Sequence, residues 1–116
     1  MKFFVNRICD RVLSGDYKAD ERIPSVRELG VEMEVNPNTV MRSFERLQNY
    51  NIIYNKRGIG YFISVSANDK IRQMRQNQFM EEVLPTVFKE MQLLEIGVEE
   101  FLNAYQSYNK KNHEKE

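Results

Sequence analysis

Apolar residues recur at three- and four-residue spacing along most of the chain, and the places where that rhythm stops divide it into elements. Phe4, Val5, Ile8, Cys9, Val12 and Leu13 form the stripe of one amphipathic helix, which Ser14-Gly15 ends. Residues 16–23 are polar and turn-like. Pro24-Ser25 opens a second helix, with Ser25 and Glu28 in the S-x-x-E spacing of a capping box. Val26, Leu29 and Met33 mark its inner side, and Gly30 gives another helix room to come close. After a turn at Glu34-Val35-Asn36, Asn36-Pro37 starts a third helix, since asparagine caps well and proline at the first helical position forfeits no needed hydrogen bond. Val40, Phe44 and Leu47 face inward there, leaving Asn38, Thr39, Arg42, Ser43, Arg46 and Asn49 on the other sides.

Ile52-Ile53-Tyr54 and Tyr61-Phe62-Ile63 are rich in β-branched and aromatic residues, and the loop Asn55-Lys56-Arg57-Gly58-Ile59-Gly60 between them predicts a hairpin. Residues 64–69 form a short polar link. From Lys70 onward the helical rhythm returns at Ile71, Met74, Gln78, Phe79, Leu84, Val87, Phe88, Met91 and Leu94. Pro85 must kink or divide that stretch, and one bent helix or two separate helices fit the pattern equally. Ile96-Gly97 breaks it, a last helix over 98–108 carries Phe101, Leu102 and Tyr105, and residues 109–116 read as a frayed charged tail. The fold expected is mainly α with a small β-hairpin: a winged helix-turn-helix over residues 1–65, then a short α-helical arm over 66–116. That arm is too small to bury its own apolar residues. Ile71, Met74, Phe79, Leu84, Val87, Phe88, Met91, Phe101 and Tyr105 are therefore expected to dimerise it.

A composition of 41% hydrophobic and 29% charged residues fits a globular protein and neither a disordered nor a membrane one. No run reaches the roughly 18 apolar residues of a membrane span, and the N-terminus has no apolar core long enough for a signal peptide, so the expected compartment is the cytoplasm. One cysteine, Cys9, and one histidine, His113 in the charged tail, leave no metal-ligand spacing and no nucleophilic triad. Neither a metal, a cofactor nor an enzymatic activity is expected.

Net charge is zero, but its distribution is uneven. Residues 1–65 hold ten Lys/Arg against eight Asp/Glu, and residues 66–116 hold seven against nine. Within 36–62 stand four bases, Arg42, Arg46, Lys56 and Arg57, and one acid, Glu45. Two helices joined by a short turn and followed by a basic hairpin suit double-stranded DNA. The major groove admits one helix, whose opening residues meet base edges carrying distinct donor and acceptor patterns. Here those residues are Asn36, Asn38 and Thr39, with Arg42 one turn on and Arg46 as a phosphate contact or a plain surface charge. The tip Lys56-Arg57-Gly58 can lay a basic side chain into the neighbouring minor groove.

Three stretches, Arg22-Ile23-Pro24-Ser25-Val26-Arg27-Glu28-Leu29, Val35-Asn36-Pro37-Asn38-Thr39-Val40 and Arg57-Gly58-Ile59-Gly60-Tyr61-Phe62, closely resemble the GntR family of bacterial transcription regulators, in order and over about residues 5–64. The short helical remainder resembles the YtrA subfamily, in which such a tail serves as a dimerisation arm and the regulated genes are often those of ABC-type transporters. The resemblance implies DNA contacts by Ser25 and Arg27 of the second helix, by the opening of the third helix, and by Gly58 in the wing. Some relatives carry arginines where Pro37 and Met41 stand, so those base contacts do not transfer, and Arg42 is the neighbour able to take over part of the role. Relatives usually carry an extended segment before helix one, and this chain begins almost inside that helix.

The function expected is a homodimeric regulator, a repressor in the first instance, on a palindromic double-stranded DNA operator. A small-molecule effector would sit between the C-terminal helices or at their junction with the winged domain. The rival is a winged-helix protein-interaction module that never touches DNA, which neutral net charge suits. Asn38, Thr39, Arg42, Arg57 and Gly58 together favour DNA.

Overall fold

The computed structural model describes residues 2–114. Helices α1 (Lys2–Leu13), α2 (Val26–Glu32) and α3 (Pro37–Asn49) precede an antiparallel hairpin, β1 (Ile53–Lys56) and β2 (Gly60–Ile63), and α4 (Ala67–Gln78) follows. A five-residue π turn (Phe79–Val83), α5 (Leu84–Leu93) and α6 (Val98–Glu114) complete the chain. The residues form two compact units, 1–76 and 77–116.

In the first unit, the stripes read from periodicity converge on one core. Ile8, Leu29, Val40, Phe44, Leu47, Ile53 and Ile63 are buried together, and the Phe44 and Tyr61 rings meet edge to face at 4.8 Å. The helix ends follow local chemistry. The backbone N–H of Glu28 donates to Ser25 Oγ at 3.1 Å, and that of Asn38 donates to Asn36 Oδ1 at 2.8 Å. Helix α2 closes in a paired-bond C-terminal motif. The Val35 N–H donates to the Gly30 carbonyl and the Glu34 N–H to that of Val31, with Glu34 at φ 55°. Gly30 is needed for this close approach, since a Cβ there would stand 3.0 Å from the Val35 carbonyl oxygen. The same Cβ would stand 3.7 Å from Pro37 Cγ, so the glycine makes room both for the turn and for the start of α3.

Three differences from the sequence reading matter here. Residues 20–23 are not a plain turn. The Asp20 and Ile23 N–H groups donate to the Ile63 and Tyr61 carbonyls, the Ile63 N–H donates to Glu21, and Arg22 bridges Phe62, so this segment pairs as a third edge along β2. Ser43 is fully buried rather than outward, its hydroxyl donating to the Thr39 carbonyl at 2.8 Å. Ile71 and Met74, expected on the dimerising face, are fully buried with Ala67 in the core of the first unit. Arg75 reinforces this placement by donating to Asp10 at 2.8 Å, tying α4 to α1. Both side chains are already covered within the subunit and have no surface left for a partner.

In the second unit, residues 77–93 are helical throughout, which answers the question at Pro85. Proline cannot donate to a carbonyl four residues back, and its ring crowds that carbonyl. The preceding turn widens instead, and the Leu84 N–H reaches back five residues to Phe79. Residues 109–114, read as a frayed tail, continue α6, and Lys115 and Glu116 lie outside the described residues. No side chain described between 77 and 113 is buried.

Cys9 packs in α1 as a small apolar group. Burial pushes its thiol up to about 11, a shift partly offset by Arg75. An unfolded chain sheds that proton first, from about pH 9, so this contribution is whole below pH 9 and is lost as pH rises through about 11. The loss amounts to about 2–3 kcal/mol. Urea titrations across that window should show stability falling, and Cys9→Ala should flatten this part of the profile.

Candidate nucleic-acid interface

Three elements of the first unit present the polar residues singled out in the sequence. Burial of Val40, Ser43, Phe44 and Leu47 turns the opposite side of α3 outward, where Asn38, Met41, Arg42, Glu45 and Asn49 are exposed at helical spacing. Asn38 stands at the helix opening and Arg42 one turn further along the same face. Thr39 is half-buried beside them. Asn36 is exposed, but its side-chain oxygen is engaged by the Asn38 N–H, so its structural duty is the cap. Ser25 is likewise a cap and half-buried, whereas Arg27 is exposed on α2. Arg46 is half-buried, and its Nε–H is buried without a hydrogen-bond partner.

The wing differs in detail from the loop read in sequence. Lys56 is the last residue of β1, opposite Gly60, and only Arg57-Gly58-Ile59 lie beyond the strands. The Ile59 N–H donates to the Lys56 carbonyl at 2.9 Å and closes this tip. Arg57, Gly58 and Ile59 are exposed. The Lys56 ammonium lies over the Phe62 ring instead of extending from the tip. The structure thus brings Asn38, Thr39, Arg42 and Arg46 onto α3, Lys56, Arg57 and Gly58 onto the hairpin, and Arg27 onto α2.

Met41, met in the sequence only as a position where some relatives carry an arginine and left out of the candidate contacts, is 46% exposed on the same stripe as Asn38 and Arg42. Its signal was the helical spacing itself, because it falls outside the Val40, Phe44 and Leu47 set. Apolar groups on a groove-facing helix can meet the thymine methyl group.

The Asn36 cap allows a test that separates folding from recognition. Asn36→Ala should cost about 1 kcal/mol in thermal unfolding. Asn36→Asp should keep the cap and the stability while weakening DNA binding through an added negative charge.

Two helices joined by a tight turn, the second presenting short amides and a guanidinium, with a basic hairpin behind them, define a winged helix-turn-helix. Residues 2–63 match the model of the bacterial regulatory proteins of the gntR family, and the chain belongs to that family. It is similar to a GntR-family regulator from Bacteroides thetaiotaomicron of known structure, with 41% identity, a TM-score of 0.76, and 94% of this chain and 95% of that one covered. It is also similar to two Bacillus subtilis proteins. With the HTH-type regulator YhcF it shares 29% identity over 103 residues, covering 89% of this chain and 84% of the relative. With the HTH-type transcriptional repressor YtrA it shares 30% over 79 residues, covering 68% and 61%. The protein is a DNA-binding transcriptional regulator, not an enzyme. No helix among the described residues is long and apolar enough to cross a membrane.

Proposed function

We propose that this regulator is a cytoplasmic homodimeric repressor that reads a palindromic operator. The observation that carries the reading is the exposed α3 stripe of Asn38, Met41 and Arg42 in the same compact unit as the cationic wing. Asn38 and Arg42 would meet base edges in the major groove, Arg27 and Arg46 the phosphates, and Arg57 the minor groove beside Gly58. Dimerisation is supported by the second unit, where Phe79, Phe88, Phe101, Leu102 and Tyr105 are all exposed. Apolar surface of that extent on successive helices calls for a covering partner. A second copy would set two α3 helices about 34 Å apart, one turn of DNA. The repressor sense rests on the similarity to YtrA, described as a repressor. Transporter genes, which the subfamily resemblance implies, are the first targets to examine. A ligand acting on this protein would favour a dimer arrangement whose two α3 helices cannot engage adjacent major grooves.

The test is selection of bound molecules from randomised double-stranded DNA, with titrations at two salt concentrations. The expected result is enrichment of a palindrome whose affinity falls steeply as salt rises. Weak, salt-sensitive binding with no enrichment would remove the reading role from α3. Repression is checked separately, by a reporter gene placed behind the enriched sequence.

A further inference from the structure

Lys56 is held on an aromatic floor. Its ammonium lies 4.6 Å from the Phe62 ring centroid and 6.0 Å from that of Tyr54, and the two rings are stacked with centroids 5.6 Å apart. The register explains the arrangement. Tyr54 opposes Phe62 and Lys56 opposes Gly60, so these four positions share one face of the hairpin, while Ile53, Tyr61 and Ile63 turn to the core.

Arg22 joins that face from the third edge. It bridges Phe62, and a Cβ built at Gly60 would stand 2.9 Å from its Nε. Gly60, at φ 142°, adopts a backbone that other residues rarely take, and its missing side chain leaves the space across which the guanidinium lies. Two cations from separate chain segments therefore flank one glycine.

Among the described residues neither cation has a carboxylate partner. Arg11 pairs with Glu32 and Arg75 with Asp10 at the surface, whereas Arg22 and Lys56 are left to water and to the rings of the hairpin face. Of the acids nearby, Asp20 accepts the Tyr54 hydroxyl at 2.9 Å and Glu21 accepts the Lys18 N–H at 3.1 Å, while Glu21 and Glu28 share a surface cleft with Arg22.

We infer that Arg22 and Lys56, on the one face of the hairpin that carries Phe62 and Gly60, form a clamp for a DNA phosphate on the flank of the wing, in addition to contacts made by its tip and by α3. The inference rests on the proposed placement of DNA against α3 and the wing. Arg22 offers a planar fork to two phosphate oxygens. Lys56 supplies a point charge whose freedom the rings already restrict. The clamp positions the duplex and reads no sequence.

Full-length protein carrying Arg22→Gln, Lys56→Gln or both is titrated against two duplexes at several salt concentrations. One duplex is enriched by the wild type from a random pool, and the other is its scrambled counterpart. Arg57→Ala serves as the reference, and thermal unfolding confirms that each variant is folded. The expected result for Arg22→Gln is a similar loss on both duplexes, about three- to tenfold, with the slope of log affinity against log salt reduced by about 1. Lys56→Gln, which leaves the backbone and Arg22 in place, should do the same, and the double variant should lower the slope by about 2. Unchanged affinity and slope in folded Arg22→Gln, while Arg57→Ala weakens both duplexes, would overturn the clamp and leave the placement of DNA intact. If Arg57→Ala and Arg22→Gln both match the wild type, the placement of DNA on the wing has itself failed.

Discussion

Alanine at Ile71 or Met74 should cost the first unit about 2–5 kcal/mol each, and the double substitution should leave the winged domain largely unfolded at room temperature. Both side chains are fully buried against a core whose other members come from α1, α2, α3, the hairpin and the segment beside it, with Ala67 on α4 itself. Each truncation removes three or more methylene-sized groups and leaves a void that rigid neighbours fill only in part. The pair lies on one turn of α4, so the two costs need not add exactly. Urea unfolding followed by circular dichroism checks this. The decisive feature is that the loss should not depend on protein concentration, because the contacts lie within one subunit. Phe88→Ala and Tyr105→Ala make the opposite pattern. Those residues are 49% and 58% exposed, so their substitution should leave the first unit's stability unchanged while raising the concentration at which subunits associate. A concentration-dependent loss at Ile71 and Met74 would return them to the subunit interface.

The contrast shows what periodicity can and cannot report. The stripe through Ile71, Met74 and Phe79 is legible in the sequence as a helix face, yet a stripe names no partner, and part of it closes the winged core in cis. Helices α2 and α3 were legible almost to the residue because their ends are written in side chains, with Ser25 and Asn36 as caps and Pro37 at the first turn. The third edge beside β2 was not legible, because its pairing uses the backbone of Asp20, Glu21 and Ile23, whose side chains follow no strand alternation. Pro85 announced a disturbance without its form, since a kink, a break and a π turn all relieve the same clash. In the candidate site, the outward stripe of α3 followed from its inward one, except that Ser43 folds its hydroxyl back onto Thr39. Lys56 was legible as a cation near a turn, but its seat over Phe62 depends on a register that only the paired strands define.

Asn38→Ala and Arg57→Ala should affect DNA binding in different ways, and the difference tests the division of labour between α3 and the wing. Asn38 is exposed at the start of α3, where a short amide can both donate to and accept from a base edge, as in the bidentate pairing of asparagine with adenine. Its loss should remove about 1–3 kcal/mol of discrimination at one operator position, up to about a hundredfold, while leaving binding to random duplex nearly unchanged. The backbone cap survives, because Asn36 accepts from the Asn38 N–H and not from its side chain. Arg57 is exposed at the wing tip, and in the proposed complex its charge would act on phosphates and the minor groove whatever the sequence. Its removal should weaken selected and random duplexes by a similar factor and flatten the salt dependence by about one counterion. Parallel titrations of both variants on both duplexes decide the matter. If Asn38→Ala weakens selected and random DNA equally, then the opening of α3 is a backbone contact, and the reading falls to Met41 and Arg42 one turn along.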